Sequence, residues 1–235
     1  MQNITLSKLS FASEVKKEDI TLLPKQGFSN ENYHFTVNNK KYLLRKFKLQ
    51  DRNRTLEYEV QTLAYEHGFA AKPLHLDLSQ GFMVCDYLEG KHKEVLSREN
   101  LSLFSEHLQT LHHINLDTEV LNLKSLFKIL STELKEAFKT IDSFSNELVL
   151  CHNDLNPKNC IFLEKTLKFI DWEFSALNDC YFDLATVCVE FDLNNEDEKY
   201  FLSTYFKMHD WEKEKLEAYK VIYKALCAEW FEDNM

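Results

Sequence analysis

The hydrophobic pattern of the chain is strand-like near its start. Between Asp19 and Phe47, apolar and polar residues alternate as they do in half-buried strands. Asn32–Val37 and Lys41–Phe47 flank the pair Asn38-Asn39, whose residue type accepts the positive φ of a two-residue hairpin turn. The pattern therefore predicts an antiparallel hairpin, with a further strand at Ile20–Leu23.

Helical spacing first appears between Arg52 and His67. Apolar side chains recur there every three or four residues, and Gly68 follows as a natural stop. Two short runs, Leu74–Asp77 and Phe82–Tyr87, then predict a second hairpin around a turn that contains glycine. The first part of the chain is thus expected to be a small sheet with one helix.

The remainder of the chain is mostly helical in pattern. All four glycines lie within the first 90 residues. A compact β-rich stretch at Leu148–Asp171 interrupts the helices, which are predicted at Ser97–His113, Leu123–Ile141, Tyr181–Phe191, Glu196–His209 and Trp211–Phe231. We therefore predict an α+β protein with a β-rich N-terminal lobe at 1–88 and a larger, mostly helical lobe at 89–235.

Charge and composition exclude several classes of function. Lys and Arg number 28 and Asp and Glu number 38, which gives a net charge of −10 and argues against nucleic acid or an anionic membrane as the main partner. No apolar run reaches the roughly 18 residues of a membrane span, and no secretory signal is recognisable, so a cytoplasmic protein is expected. The six cysteines have no C-x-x-C spacing and are expected to be free, buried thiols rather than zinc ligands. Neither glycine-rich nucleotide motif occurs, which disfavours P-loop and Rossmann proteins.

The densest polar motif is His152-Asn153-Asp154-Leu155-Asn156-Pro157-Lys158-Asn159, followed twelve residues later by Asp171. Two short strands between Asn159 and Asp171 would form a hairpin that returns the chain to its starting point. That return brings an amide oxygen and a carboxylate together, which suits a hard cation such as Mg²⁺. Asp154 would stand nearby, where it can take a proton from a hydroxyl nucleophile. The alternative is a polar turn without chemistry, and His152 is expected to be structural.

This layout resembles that of the protein-kinase-like phosphotransferases. The segments CHNDLNPKN and LKFIDWEFSALNDCYFDLA closely resemble the choline/ethanolamine kinase family, in particular its bacterial choline kinases, within the aminoglycoside phosphotransferase superfamily. The resemblance implies a bilobal kinase-like fold and transfer of the γ-phosphate of ATP to a small alcohol. It also implies that Asp154 is the catalytic base, that Asn159 and Asp171 bind Mg²⁺, and that Asp183 braces the site.

The resemblance extends to the nucleotide site. Gln26–Tyr33 looks like the family's nucleotide loop, with Gly27, Ser29 and Asn30 at pattern positions. Arg45 matches the cation that grips phosphate, and Glu57, preferred over Glu59, matches the helix carboxylate that pairs with it. The segment Asp86-Tyr87-Leu88 matches the hinge whose backbone binds adenine; its alternative is a plain strand end.

The acceptor is the least determined part of this interpretation. A quaternary ammonium such as choline has no N–H donors and is bound by aromatic faces with carboxylates nearby. By resemblance, Glu190 and Trp230 are the leading candidates, with Trp172 and Glu173 beside the motif; Cys227 stands where a second aromatic is usual. Each aromatic has packing in the core as its alternative. Ethanolamine, thiamine and aminoglycosides stay open as acceptors, as does a nucleotide-binding pseudokinase without activity.

Overall fold

The computed structural model describes residues 6–49 and 51–234, with side chains as far as residue 230. It divides into two compact units between Gly90 and Lys91. The N-terminal unit contains β1 (Thr21–Leu22), β2 (Asn30–Val37), β3 (Lys40–Phe47), α1 (Arg54–Glu66), β4 (Pro73–Asp77) and β5 (Phe82–Asp86). The C-terminal unit contains α2 (Arg98–His112), α3 (Thr132–Ile141), β6 (Leu148–Cys151), β7 (Cys160–Phe162), β8 (Leu167–Phe169), β9 (Ala176–Asp179), α4 (Cys180–Glu190), α5 (Asn195–Tyr205) and α6 (Lys213–Asn234).

The N-terminal unit is built on one antiparallel sheet in the order β1-β2-β3-β5-β4. The predicted hairpin is confirmed: Val37 pairs with Lys40, and the two asparagines between them have positive φ. Helix α1 begins after Asn53, whose side chain accepts a hydrogen bond from the Leu56 amide, and Gly68 follows its end with φ of 87°. The helix predicted between Arg52 and His67 is therefore confirmed, with slightly shorter bounds.

The core of this sheet includes residues that precede its first strand. Leu6, Leu9 and Ala12 are buried in the same cluster as Phe35 and Leu44. Lys8 also reaches Asp77 at the end of β4, at 3.0 Å between Nζ and Oδ2. The segment before β1 is thus a packed part of the unit.

In the C-terminal unit, one predicted helix is wrong. Leu123–Ile141 is not continuous: Leu123–Leu126 form a 3₁₀ turn, and α3 starts only at Thr132, capped by the side chain of Ser131. The apolar spacing continues across this break because both pieces bury residues, so periodicity alone did not reveal it. Helix α2 starts as predicted, with a capping box between Ser97 and Asn100.

Two small sheets frame the polar motif of the C-terminal unit. Strands β7 and β8 form the predicted hairpin, in which Cys160 pairs with Phe169. Strand β6, which leads into the motif, pairs with β9, a strand that the sequence did not predict. Because β6 and the β7–β8 hairpin stand on either side of the loop 152–159, both ends of that loop are fixed.

Candidate active site

One buried carboxylate, that of Asp183, holds the start of the loop 152–159. Asp183, on α4 and fully buried, accepts hydrogen bonds from the backbone amides of His152 and Asn153, both at 2.8 Å. A carboxylate that accepts two consecutive backbone N–H groups holds that stretch of chain in one conformation. The bracing role expected for Asp183 is present in the structure.

His152 packs beneath the loop and does not point into an open site. Its Nε2 lies 3.0 Å from the carbonyl of Ile170, and its Nδ1 accepts from the Asp154 amide at 3.3 Å. Its ring also lies against Trp172, with centroids 4.6 Å apart. Burial lowers the pKa of His152 to about 4, so the ring is neutral at physiological pH. This is the structural role expected for His152.

The carboxylate of Asp154 is held by two amides. The side chain of Asn156 donates to Oδ1 at 2.9 Å, and that of Asn159 donates to Oδ2 at 2.7 Å. Burial raises the pKa of Asp154 to about 7; the nearby acids Asp171 and Glu190 act in the same direction, whereas the two amide hydrogen bonds oppose them. A carboxylate with this pKa, in a fixed orientation, suits proton transfer near neutral pH.

Asn159 and Asp171 are adjacent because of the β7–β8 hairpin. The amide of Ile170 donates to the backbone carbonyl of Asn159 at 2.9 Å, so Asp171 follows immediately beside it. Asp171 itself adopts a left-handed conformation with φ of 68°, which is uncommon for a residue other than glycine and typical of functional sites.

These two residues fit the magnesium that the sequence motif implies. The side-chain NH₂ of Asn159 donates hydrogen bonds to Oδ2 and to the backbone carbonyl of Asp154. The amide oxygen of Asn159 therefore faces away from Asp154. Together with the carboxylate of Asp171, that oxygen makes a hard donor set of the kind Mg²⁺ prefers.

In the N-terminal unit, four residues that were predicted to bind the nucleotide lie together: Ser29, Asn30, Arg45 and Glu57. Arg45 Nη1 lies 2.5 Å from Glu57 Oε1, and both side chains are buried. Asn30 accepts from Arg45 Nη2 at 2.8 Å and donates to the carbonyl of Ser29 at 3.1 Å when its amide is oriented to satisfy both groups. The preference for Glu57 is correct as regards this ion pair, because Glu59 is exposed.

The other residues that were predicted to bind the nucleotide include Gly27 and the segment Asp86-Tyr87-Leu88. The carbonyl of Gly27 accepts from the Lys48 ammonium at 2.9 Å. Asp86, Tyr87 and Leu88 come at the end of β5, where the Asp86 carboxylate pairs with Lys40 at 2.7 Å. The side chain of Asp86 therefore has a partner within the sheet, and recognition of adenine by the backbone of this segment stays a prediction.

Of the residues that were predicted to bind the acceptor, Glu190 has neighbours that are close to Asp154. Glu190, at the end of α4, accepts a hydrogen bond from the Tyr223 hydroxyl of α6 at 2.8 Å. Cys227 lies one turn after Tyr223; burial raises its pKa, and the charges of Glu190 and Asp154 add to that effect. Because Glu190 and Asp154 both act on Cys227, these three groups share one neighbourhood. The sequence did not single out Tyr223 among the aromatics of the last third of the chain, since one aromatic at helical spacing resembles any core residue.

The three remaining acceptor candidates differ in exposure. Trp230 is 42% exposed, so it is not the core residue that the alternative supposed. Glu173 is half-buried in the 3₁₀ turn after Asp171. Trp172 is only 1% exposed and packs on His152 and Phe169, so the structure shows it supporting the loop, and its contact with the acceptor stays a prediction.

A second polar cluster lies below the loop. Atoms of His112, Cys151 and Asp183 that are able to bind a metal lie within 4.8 Å of one another, and all three residues are buried. His112 contacts the Tyr205 hydroxyl at 2.6 Å and the Asp183 carboxylate at 3.2 Å. Because Asp183 also accepts two backbone N–H groups, these contacts form a hydrogen-bonded support for the loop.

Among the described residues, no helix combines the length and apolarity needed to cross a bilayer. All six cysteines are free, and five of them are buried, as expected from their spacing.

Comparison with known proteins identifies the family. Residues 20–219 match the model of the phosphotransferase enzyme family. Protein LicA of Haemophilus influenzae strain Rd is 30% identical over 205 residues, which cover 75% of this chain and 76% of LicA. A second Haemophilus influenzae LicA sequence is also 30% identical, but this chain spans only 60% of its length.

A solved structure and a further curated protein are also similar to this chain. The crystal structure of choline kinase LicA from Streptococcus pneumoniae has a TM-score of 0.75 and 23% identity, and the match covers 95% of this chain and 89% of that one. This likeness establishes the α+β, protein-kinase-like fold. Ethanolamine kinase 1 of Mus musculus is 34% identical over 96 residues, which cover 40% of this chain and 26% of the mouse protein.

Proposed function

Because the chain belongs to the phosphotransferase enzyme family, we propose that it transfers the γ-phosphate of ATP to the hydroxyl of a small amino alcohol, with choline as the first candidate. The observation that carries this proposal is the Asp154 carboxylate, held between the amides of Asn156 and Asn159 beside Asp171. The N-terminal lobe at 1–88 would bind the nucleotide, and the lobe at 89–235 would bind the acceptor and carry the catalytic groups.

Each step of the transfer has a residue suited to it. Asp154 accepts the proton of the acceptor hydroxyl as its oxygen attacks the γ-phosphorus, and the bond between that phosphorus and the ADP oxygen breaks. Asn159 and Asp171 would hold Mg²⁺, which would supply positive charge against the negative charge that develops on the transferred phosphoryl group. Arg45, oriented by Glu57, binds phosphate oxygens.

Choline is favoured by the ring and the acids around the proposed acceptor site. Trp230 offers a partly exposed aromatic face, and Glu190 offers a carboxylate close to Asp154. A quaternary ammonium is stabilised by an aromatic face and by longer-range negative charge, without needing hydrogen-bond acceptors. The net charge of −10 favours a cation in general, and the related LicA of Streptococcus pneumoniae is described as a choline kinase.

Ethanolamine is the second candidate because of what surrounds Glu190. The Tyr223 hydroxyl and the Glu190 carboxylate provide polar groups that a primary ammonium, with three N–H donors, can use. Cys227 supplies no aromatic face. Mouse ethanolamine kinase 1 is among the relatives, although only 40% of this chain matches it.

We place the reaction in the cytoplasm, where ATP is available and free thiols such as the six cysteines persist.

The test of the proposed function is an acceptor screen with purified protein and Mg-ATP, in which ADP release is followed with choline, ethanolamine, thiamine or an aminoglycoside. We expect the highest kcat/KM with choline. A tenfold advantage for ethanolamine would overturn the choice of acceptor, whereas nucleotide binding without ADP release from any acceptor would indicate a pseudokinase.

A further inference from the structure

Two arginines share one buried carboxylate in the N-terminal unit. Arg45 contacts Oε1 of Glu57 at 2.5 Å, and Arg54 contacts Oε2 at 2.6 Å. All three residues are buried: Arg45 is 5% exposed, Arg54 is 6% exposed and Glu57 is 1% exposed. The sequence had indicated only the pair of Arg45 with Glu57, so Arg54 is an additional member of this cluster.

The position of Arg54 is fixed by its own neighbours. It is the first residue of α1, three positions before Glu57, and so lies on the same helix face. Its guanidinium lies over the ring of Phe47 at 4.2 Å from the centroid. Phe47 is two residues after Arg45 on β3, which places both on the same face of the sheet. Arg54 is therefore anchored to the strand that carries Arg45.

This arrangement has consequences for the orientation of Arg45. With each oxygen of Glu57 engaged by a different guanidinium, the carboxylate has no freedom to rotate toward a two-pronged contact with Arg45 alone. Arg45 is then held by one of its nitrogens to Glu57 and by another to Asn30. The guanidinium plane of Arg45 is thus set from two sides.

We propose that Arg54 is a positioning residue for phosphate binding: it holds Glu57, and Glu57 in turn orients Arg45 toward the phosphates of the nucleotide. This inference rests on the proposed function to the extent that it takes ATP as the ligand. It predicts that Arg54 contributes to the affinity for the phosphates of the nucleotide and not to the affinity for the nucleoside.

The test measures dissociation constants of ATP, ADP and adenosine for the wild-type protein and for Arg54→Met and Arg54→Lys. Methionine keeps much of the length of the side chain but removes the charge, and Glu57 keeps Arg45 as its partner, so the fold should persist. We expect Arg54→Met to weaken ATP and ADP binding about tenfold, a typical effect of one charge-assisted contact, and to change adenosine binding less than twofold. Arg54→Lys should recover part of the loss, because the charge returns without the planar fork.

The matched control is Lys72→Gln, which removes one positive charge from the surface of the same unit. It should leave the whole nucleotide series unchanged. An equal loss of affinity for ATP and adenosine in Arg54→Met, or no loss for either, would overturn the inference. If Arg54→Met has a much lower melting temperature, the ratio of ADP to adenosine affinity in Arg54→Lys decides instead: an unchanged ratio contradicts the proposal.

The same measurements separate this inference from the proposed function. Wild-type protein that binds ATP and ADP better than adenosine but phosphorylates no alcohol would contradict the proposed transfer while leaving the role of Arg54 standing. Wild-type protein that phosphorylates choline with no phosphate-dependent loss in the Arg54 variants would do the reverse.

Discussion

Two carboxylates, the buried Glu57 in the N-terminal unit and the half-buried Asp154 in the C-terminal unit, have opposite surroundings. Glu57 faces two guanidinium groups, whereas Asp154 is held by two neutral amides and lies near the acids Asp171 and Glu190. Burial raises the pKa of Asp154 to about 7. The same functional group thus serves two purposes: surrounded by cations it orients them, and surrounded by amides and acids it keeps the basicity that proton transfer requires.

The two carboxylates also differ in how they are positioned. Glu57 is held by side chains of β3 and of its own helix, so it belongs to regular secondary structure. Asp154 lies on a loop whose conformation depends on Asp183 below it and on Asn159 beside it. We therefore expect substitutions around Glu57 to change nucleotide binding, and substitutions around Asp154 to change the rate of transfer.

The largest expected effects are at the Asp154 side. Asp171→Ala should abolish turnover and the Mg²⁺ dependence of nucleotide affinity, because it removes a charged ligand of the metal. Asp154→Ala should lower kcat by about 10²–10⁴-fold, as for a lost general base, while nucleotide binding survives. Steady-state kinetics and nucleotide titrations measure the two quantities separately.

The control for both variants is Glu164→Ala, which removes an exposed acid from the turn of the β7–β8 hairpin. It should leave kcat and nucleotide affinity unchanged. Near-normal turnover in Asp154→Ala would refute the assignment of the base, and with it the contrast between the two carboxylates.

The second expected effect concerns the neutral surroundings below Asp154. His152 has a folded-state pKa of about 4, below the usual 6.5, so the unfolded chain binds its proton more readily than the folded protein. The contribution of a neutral His152 to stability is complete above about pH 6.5 and is lost as the pH falls toward 4. The loss is about 3 kcal/mol, from 1.36 kcal/mol per pKa unit.

Urea unfolding at pH 7.5, 6.0 and 5.0 measures this effect as the difference between wild type and His152→Gln. His209→Gln, which removes an exposed histidine, is the control and should follow the wild type. A wild-type-minus-variant difference that does not change between pH 7.5 and 5.0 would show that the loop tolerates a charged His152.

The third effect is at the Glu57 side. Arg45→Ala should raise the KM for ATP by about 10–100-fold, the range for a lost hydrogen bond to a charged group, without changing the order of preference among acceptors. Arg45→Lys should be partly active, because its charge remains while the two-pronged geometry is lost. A change in acceptor preference without a change in ATP KM would place Arg45 at the acceptor and not at the nucleotide.

The smallest effect is at the proposed acceptor ring. Trp230→Ala should raise the choline KM from a few-fold to about thirtyfold, as for a lost cation–π contact, and leave the ATP KM unchanged. Because Trp230 is partly exposed, the melting temperature should change little. Trp211→Ala, which removes a ring stacked on Phe206, is the comparison variant and should lower stability without a selective effect on choline. Equal effects of Trp230→Ala on both KM values would count against the acceptor role.

The loop and the hairpin were predictable because their geometry follows from adjacent residues. A two-strand hairpin between Asn159 and Asp171 brings its ends together whatever the rest of the fold does, and the structure contains it. The break inside Leu123–Ile141 was not predictable from periodicity, because buried residues on both sides keep helical spacing. Strand β9 was missed for a similar reason: it is only four residues long and two of them are polar.

Polar contacts between distant elements could not be predicted from the sequence. Lys215 of α6 is 2% exposed and pairs with Asp179 at 2.6 Å. A lysine in a helix ordinarily indicates a solvated face, and nothing in the spacing shows that its partner lies in a distant strand. Arg54 and Tyr223 are comparable cases, since each acquires its role from a residue on another element or another turn of helix.

The segment that packs before β1 affects how this protein can be shortened. The family match begins at residue 20, yet Leu6, Leu9 and Ala12 are part of the hydrophobic core beneath the sheet. An expression fragment cut at the family boundary would leave an apolar surface of that sheet uncovered and prone to aggregation. A fragment that keeps residue 6 onward preserves the layer, so the folding unit is larger than the region that family resemblance outlines.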